Sequence, residues 1–263
     1  MKYAIAVDLE GIAGIVGEPG QGLGREGRQT AFACEQAVRE INAAVKALFE
    51  SGASEVLVWD NHNGSLNLDY ASLDKRVSII AGTGAMHRWP GLDESVDGVL
   101  LMGYHAKADT YCGILSHTCS SETYQYIKIN GRTIGEMEID AACAAKLLKA
   151  PVIFVSSDEE GIRQAKESLP WAGTVSVKKP LGRNLAILKH PLAVVDEIYL
   201  GVKACAAAMD RMELFHFNEP LEVEIRFMRL EKAERMAKDR SGMYELKDPY
   251  TVAFKAKSIL EMY

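Results

Sequence analysis

Three apolar runs in this chain each end in side chains that bind metal ions. Tyr3 to Val7 runs into Asp8 and Glu10, Val56 to Trp59 into Asp60 and His62, and Val99 to Met102 into Tyr104 and His105. Short apolar runs of this kind read as buried strands. In an open α/β sheet the carboxyl ends of the strands face one crevice, so residues distant in sequence converge there. Carboxylate and imidazole suit zinc and related divalent ions, and more than three such ligands point to a two-ion site. Asp8 and Glu10 lie two apart, so extended backbone would turn both to one face, with about 7 Å between their Cα atoms. Taken singly, each cluster has a plainer reading, as a strand ending in solvated acids or a histidine bonded to backbone. Their recurrence at three strand ends favours a shared site.

The elements that must position these residues alternate strand with helix. Lys2 to Val7 reads as the first strand. Arg28 to Glu50 reads as a long helix, because Cys34, Val38, Ile41, Val45 and Leu48 recur at steps of three and four, and Ser51 and Gly52 end it. Further strands are expected at Glu55–Trp59, Val77–Ala81, Gly98–Met102, Tyr124–Ile129, Val152–Val155 and Thr174–Val177, and helices at Glu138–Leu148, Glu159–Ser168 and Pro191–Met212. From Leu221 to Met228 apolar residues alternate with charged ones, as in a strand with one solvated face. These elements predict an α/β protein, a three-layer α/β/α arrangement on a mostly parallel mixed sheet. The catalytic unit is expected over residues 1–185 and a smaller C-terminal α+β lobe over 186–263.

The 263 residues allow a substantial core, and 48% apolar with 25% charged residues is a globular composition. The 30 basic and 36 acidic residues give a net charge of -6 with no long basic block, which argues against a nucleic-acid partner. The apolar run before Asp8 is too short for a signal-peptide core and no segment approaches a membrane span, so a cytoplasmic protein without a membrane partner is expected. Five cysteines without C-x-x-C spacing predict neither a disulfide framework nor a structural zinc knuckle.

Other residues invite chemistry less directly. His117 in GILSHT follows a glycine-containing loop; it could be a further ligand or a general acid/base near neutrality. Cys112 and Cys119 flank it, but a Cys, His, Cys site would lack a fourth ligand. Glu136 lies in IGEMEIDA, where Ile134 and Gly135 lead into a helix N-terminal turn, and an acid there is favourable at the positive end of the helix dipole whatever else it does. Gly22, Gly24 and Gly27 satisfy G-x-G-x-x-G, yet they lie well past the first strand, whereas a dinucleotide turn needs its first glycine directly after it. They read as loop. Cys34, Cys143 and Cys205 read as small core residues.

Set in order, these segments resemble the DppA-type zinc-dependent D-aminopeptidase family over nearly the whole chain. The resemblance is carried by VDLEG at Val7 to Gly11, WDNH at Trp59 to His62, GYHAKA at Gly103 to Ala108, SH at Ser116 and His117, IGE at Ile134 to Glu136, and FKAKSILEMY at the C-terminal end. Two departures stand out: Asn61 replaces the small residue before the family's histidine, and the glycine-rich loop from Gly14 to Gly27 has no counterpart in the pattern.

The resemblance implies two Zn2+ ions per chain bridged by Asp8, with Glu10 and His105 completing one and His62 and Glu136 the other. It implies His117 as the catalytic histidine, short peptides as substrates, a D residue first, and a homo-oligomer that encloses its active sites as a decamer of two stacked pentamers. Two adjacent cations polarise a scissile carbonyl and acidify water, and His117 could stabilise an oxyanion or protonate the departing amine. Asp60 would orient a ligand imidazole from behind. Rival readings are another dimetal hydrolase, such as a phosphoesterase, and a non-enzymatic component of peptide uptake. Lys107 is the one cation within the metal motifs, which disfavours phosphate, and retention of all six site residues disfavours a non-enzyme.

Overall fold

The computed structural model describes residues 1–24, 26–239 and 242–262. In chain order the elements are β1 Lys2–Val7, α1 Arg28–Glu50, β2 Glu55–Asp60, β3 Ser78–Ile80, β4 Gly98–Met102, β5 Tyr124–Ile129, β6 Arg132–Ile134, α2 Glu136–Cys143, β7 Val152–Ser157, α3 Glu159–Ser168, β8 Gly173–Ser176, β9 Lys178–Gly182, β10 Leu185–Leu188, α4 Pro191–Ala206, β11 Leu221–Phe227, α5 Leu230–Asp239, β12 Glu245–Asp248 and β13 Thr251–Ala256. Six strands form a parallel sheet in the order β3-β2-β1-β4-β7-β8. The order runs one way from β1 and the other way from β4, so the crevice between their carboxyl ends is the topological switch point where α/β sheets bind ligands.

Alternate residues of β1 feed two separate cores, as the two-residue period of a strand requires. Tyr3, Ile5 and Val7 pack with the small-residue face of α1 (Ala33, Ala37, Ala44) and with Val194, Ile198 and Val202 of α4. Ala4 and Ala6 join the opposite core with Val99, Leu101, and residues of α2 and α3. Every residue of α2 after Glu136 is buried, because a second sheet covers it from outside. That sheet is antiparallel, in the order β12-β13-β11-β5-β6. The alternation expected from Leu221 onward is present: Leu221, Val223, Ile225 and Phe227 are buried, while Glu222, Glu224 and Arg226 point outward. The architecture is the expected α/β fold, with the main sheet wholly parallel. The second sheet draws strands from both sides of residue 185, and α4 packs against α1.

Two expected helices differ in extent. The segment at 138–148 begins at Glu136 and passes at Ala144 into a wider turn, closed by Lys149 in the left-handed region at φ 56°. The helix expected to reach Met212 stops at Ala206, and Met209 reaches the core from a separate 3-10 turn.

Candidate metal centre and active site

The strand register brings the site residues level. Val7 pairs with Asp60 on one side and Met102 on the other. Past the strand ends the backbones stay laced: Asp8 N–H donates to Met102 O at 2.9 Å, Asn61 N–H to Val7 O at 2.9 Å, and Gly11 N–H to Gly103 O at 2.7 Å. This crossing demands glycine twice. A Cβ on Gly11 would lie 1.9 Å from Tyr104 O, and one on Gly103, at φ +70°, would lie 2.1 Å from Asp8 O. The glycines of VDLEG and GYHAKA therefore let two ligand loops touch.

Asp8 is the hub of the site. His62 Nδ1 lies 2.8 Å from its Oδ1, and His105 Nε2 lies 3.3 Å from its Oδ2. Glu10 Oε2 lies 3.1 Å from His62 Nδ1, and Glu136 Oε1 lies 3.2 Å from His105 Nε2. Glu10 is thus nearest His62 and Glu136 nearest His105. Donor atoms of Asp8, Glu10 and His105 lie within 4.8 Å of one another, as do those of His105, His117 and Glu136. All five expected ligands are gathered, together with His117, whose ring stacks on His105 with centroids 4.0 Å apart.

The donor set fits a divalent ion. Glu10 Oε2 and His105 Nε2 are buried and aimed at neighbouring ligand atoms, yet neither makes a hydrogen bond of acceptable geometry. Such orphaned atoms are costly unless something else satisfies them. His105 Nδ1–H is directed to the Ala106 carbonyl at 3.0 Å, which leaves Nε2 to face the cluster. Burial opposes protonation of His62, but Glu10 and Asp8 push it up to about 11. Burial likewise opposes, and Asp8 and Glu136 overcome, so that His105 is held well above its usual range. Burial would raise the Asp8 and Glu136 carboxyls, yet the two histidines hold Asp8 well below its ordinary value and His105 brings Glu136 to about 2.

His117 is set differently. Its Nδ1–H goes to the Leu115 carbonyl at 2.8 Å, so Nε2 faces the pocket, 3.8 Å from Glu136 Oε1. Glu136 also accepts from Cys119 N–H at 2.8 Å, which ties the loop after His117 to the start of α2. The segment before His117 is held by Asp158, whose carboxylate accepts from Ile114 N–H and Gly161 N–H, both at 2.7 Å. Cys112 and Cys119 are unbridged, and among the described residues no candidate metal group contains either.

Asp60 does not perform its expected task. Its oxygens accept from Asn67 N–H at 2.6 Å, Asn67 Nδ2 at 2.7 Å, Leu68 N–H at 3.1 Å and the Tyr70 hydroxyl at 3.1 Å. It folds the loop behind His62, while the second nitrogen of His62 faces Asn63 at 2.9 Å. Lys107 is also spent elsewhere, donating to Thr133 O at 3.1 Å.

Sequence reasoning missed three cations and a buried acid around this site. Lys178, 2% exposed, donates from Nζ to the carbonyls of Glu10, Ile12 and Ile15 at 2.5, 3.0 and 2.7 Å. Glu40, buried in α1, accepts from Ala13 N–H at 3.0 Å in the same loop. Arg88 and Arg183 line a pocket of about 530 Å³ with Asp8, Glu10, His62, His117 and Glu136. No motif contains these four residues, and only their tertiary contacts mark them out. Gly22 and Leu23 of the glycine-rich loop line the same pocket, as a loop and not a dinucleotide turn.

A family model described as D-aminopeptidase (Peptidase_M55) matches residues 1–263. The chain is 29% identical over 266 residues to a D-aminopeptidase of Bacillus subtilis (strain 168), covering 100% of this chain and 94% of that one. Among solved structures it is similar, with a TM-score of 0.88 and 28% identity over 99% of this chain and 93% of the other, to the Zn-dependent D-aminopeptidase DppA from Bacillus subtilis, described as a self-compartmentalizing protease. With its fold and its strand-end ligand cluster in place, the chain belongs to the D-aminopeptidase family.

Proposed function

We propose that this protein is a zinc-dependent aminopeptidase that removes an N-terminal D residue from short peptides or amino-acid amides, with two zinc ions per chain. One observation carries the reading: a single buried carboxylate, Asp8, faces imidazoles from two other strand ends, one at each oxygen. Asp8 would bridge the two ions, with Glu10 and His105 completing one and His62 and Glu136 the other; the mutual approach within 4.8 Å of donor atoms of Asp8, Glu10 and His105 supports the first set. Zinc at such a site supplies Lewis-acid polarisation of the scissile carbonyl and acidifies water. His117 presents Nε2 to the pocket with its other nitrogen fixed on Leu115, a geometry suited to handing a proton to the departing amine. Glu122, the acid of the pocket lining not assigned to zinc, suits a free, positively charged N-terminus.

No helix among the described residues is long and apolar enough to cross a membrane. A cytoplasmic enzyme assembled as a homo-oligomer, a decamer of two stacked pentamers that admits only short peptides, is in keeping with the self-compartmentalizing relative. The test is a matched set of D- and L-alanyl peptides with N-acetylated controls, assayed on protein of known metal content. Cleavage of free D-alanyl peptides alone is expected. Equal cleavage of acetylated peptides would exclude an aminopeptidase, and a preference for L would remove the stereochemical part.

A further inference from the structure

The two guanidinium groups in the pocket differ in their electrostatic state. Arg88 is clamped by both oxygens of buried Asp140, at 2.5 and 2.7 Å, so its charge is matched before substrate arrives. Arg183 donates from Nη1 to the Ser116 carbonyl at 2.7 Å and, among the described residues, enters no ion pair. A guanidinium offers five N–H donors in a fork that matches a carboxylate, and most of this fork remains.

Arg183 is built into the same piece of structure as His117. Its carbonyl accepts from Leu115 N–H at 3.1 Å, and the Leu115 carbonyl in turn accepts from His117 Nδ1. Its side chain grips Ser116, the residue before His117. Peptide hydrolysis releases the amine of the second residue beside the group that protonates it. In a dipeptide only the Cα separates that amine from the terminal carboxylate. A cation anchored next to the proton donor therefore stands where the substrate ends. Of the other charged residues that line the pocket and are not assigned to zinc, Arg88 is already matched by Asp140 and Glu122 would repel a carboxylate placed against it.

We propose that Arg183 receives the C-terminal carboxylate of a dipeptide, which makes dipeptides with a free carboxyl end the preferred substrate class. The proposal rests on the aminopeptidase reading and on the role given to His117. It is tested with D-alanylglycine against its C-terminal amide, using metal-loaded wild type, Arg183→Gln and Arg183→Lys. Wild type should prefer the free acid. Arg183→Gln should lower kcat/KM on that substrate by about ten- to a hundredfold, as expected for a lost charge-assisted hydrogen bond, with the change mainly in KM. The acid-to-amide ratio should fall toward one, and Arg183→Lys should recover part of it. An unchanged ratio in Arg183→Gln overturns the proposal and leaves the aminopeptidase reading standing; hydrolysis of neither substrate by wild type overturns both. Should Arg183→Gln fail to hold metal, wild type decides, since an acid-to-amide ratio at or below one also overturns the proposal.

Discussion

Replacing Lys178 by Met removes a buried ammonium from beneath the loop that carries Glu10, while keeping a long apolar stem to fill the space. Lys178 Nζ serves the carbonyls of Glu10, Ile12 and Ile15. Ile12 O also accepts from Ile15 N–H at 3.3 Å, so the substitution strips the Glu10 and Ile15 carbonyls most completely. Each buried carbonyl left without a donor costs about 1–3 kcal/mol. The charge matters as well, because burial pushes the Lys178 ammonium down to about 8 while Asp158, Glu40 and Glu10 resist that fall. Met escapes the desolvation cost but leaves those acids without their cation. Removing one partner from a buried charge cluster costs about 3–5 kcal/mol, and the lower end is expected here since Glu40 can take up a proton. For a chain of this size about 3 kcal/mol corresponds to roughly 6–12 °C in Tm. Calorimetry of metal-free Lys178→Met should show that drop, and zinc titration should show weakened binding because the Glu10 loop has lost its floor. A Tm within about 2 °C of wild type, with unchanged zinc affinity, would refute the role given to this lysine.

Glu40→Gln should flatten the pH dependence of stability. Burial raises the Glu40 carboxyl from its ordinary 4.5 to about 7, against the opposing pull of Gln36, Ala13 N–H and Lys178. A raised carboxyl makes the folded state hold a proton that the unfolded chain has released, so its contribution is full below pH 4.5 and is lost as pH rises through 7, by roughly 3 kcal/mol. Between pH 5 and 8 the stability of wild type should fall relative to that of Glu40→Gln; parallel curves would contradict this. His117→Ala should keep its zinc and lose about 10²–10⁴-fold in kcat; loss of metal in step with activity would make His117 a ligand. By elemental analysis, Asp8→Ala should lower the occupancy of both ions and Glu10→Ala chiefly of one, whereas equal losses would argue against a bridge.

Much of the site was legible because buried parallel strands read as unbroken apolar runs, and the first polar residues after them fall at the crevice. Asp8, Glu10, His62 and His105 follow from that rule, and α1 was recognisable from its apolar spacing and the Ser51-Gly52 stop. Glu136 was not, since an acid at a helix start is expected anyway; the resemblance singled it out. Pairings across long stretches of sequence were also out of reach. Nothing in Tyr124–Ile129 announces that it lies beside Leu221–Phe227, so the composition of the second sheet had to come from the structure. The β9 and β10 ribbon, β12 and the charged helix α5 were missed because they are short and largely exposed. Lys178 resembles its solvated neighbour Lys179 in sequence, and only tertiary contacts separate a buried clamp from a surface charge. Asp60 was placed correctly at a strand end but serves the loop behind His62, because Asn67 and Leu68 present backbone donors to it.

The central claim, that Asp8 joins two zinc ions, is tested most directly by anomalous diffraction from zinc-loaded crystals on either side of the zinc absorption edge. The account predicts two peaks per chain, both at Asp8, the first shared with Glu10 and His105 and the second with His62 and Glu136. A single peak at full zinc loading, or two peaks that do not share Asp8, would contradict it.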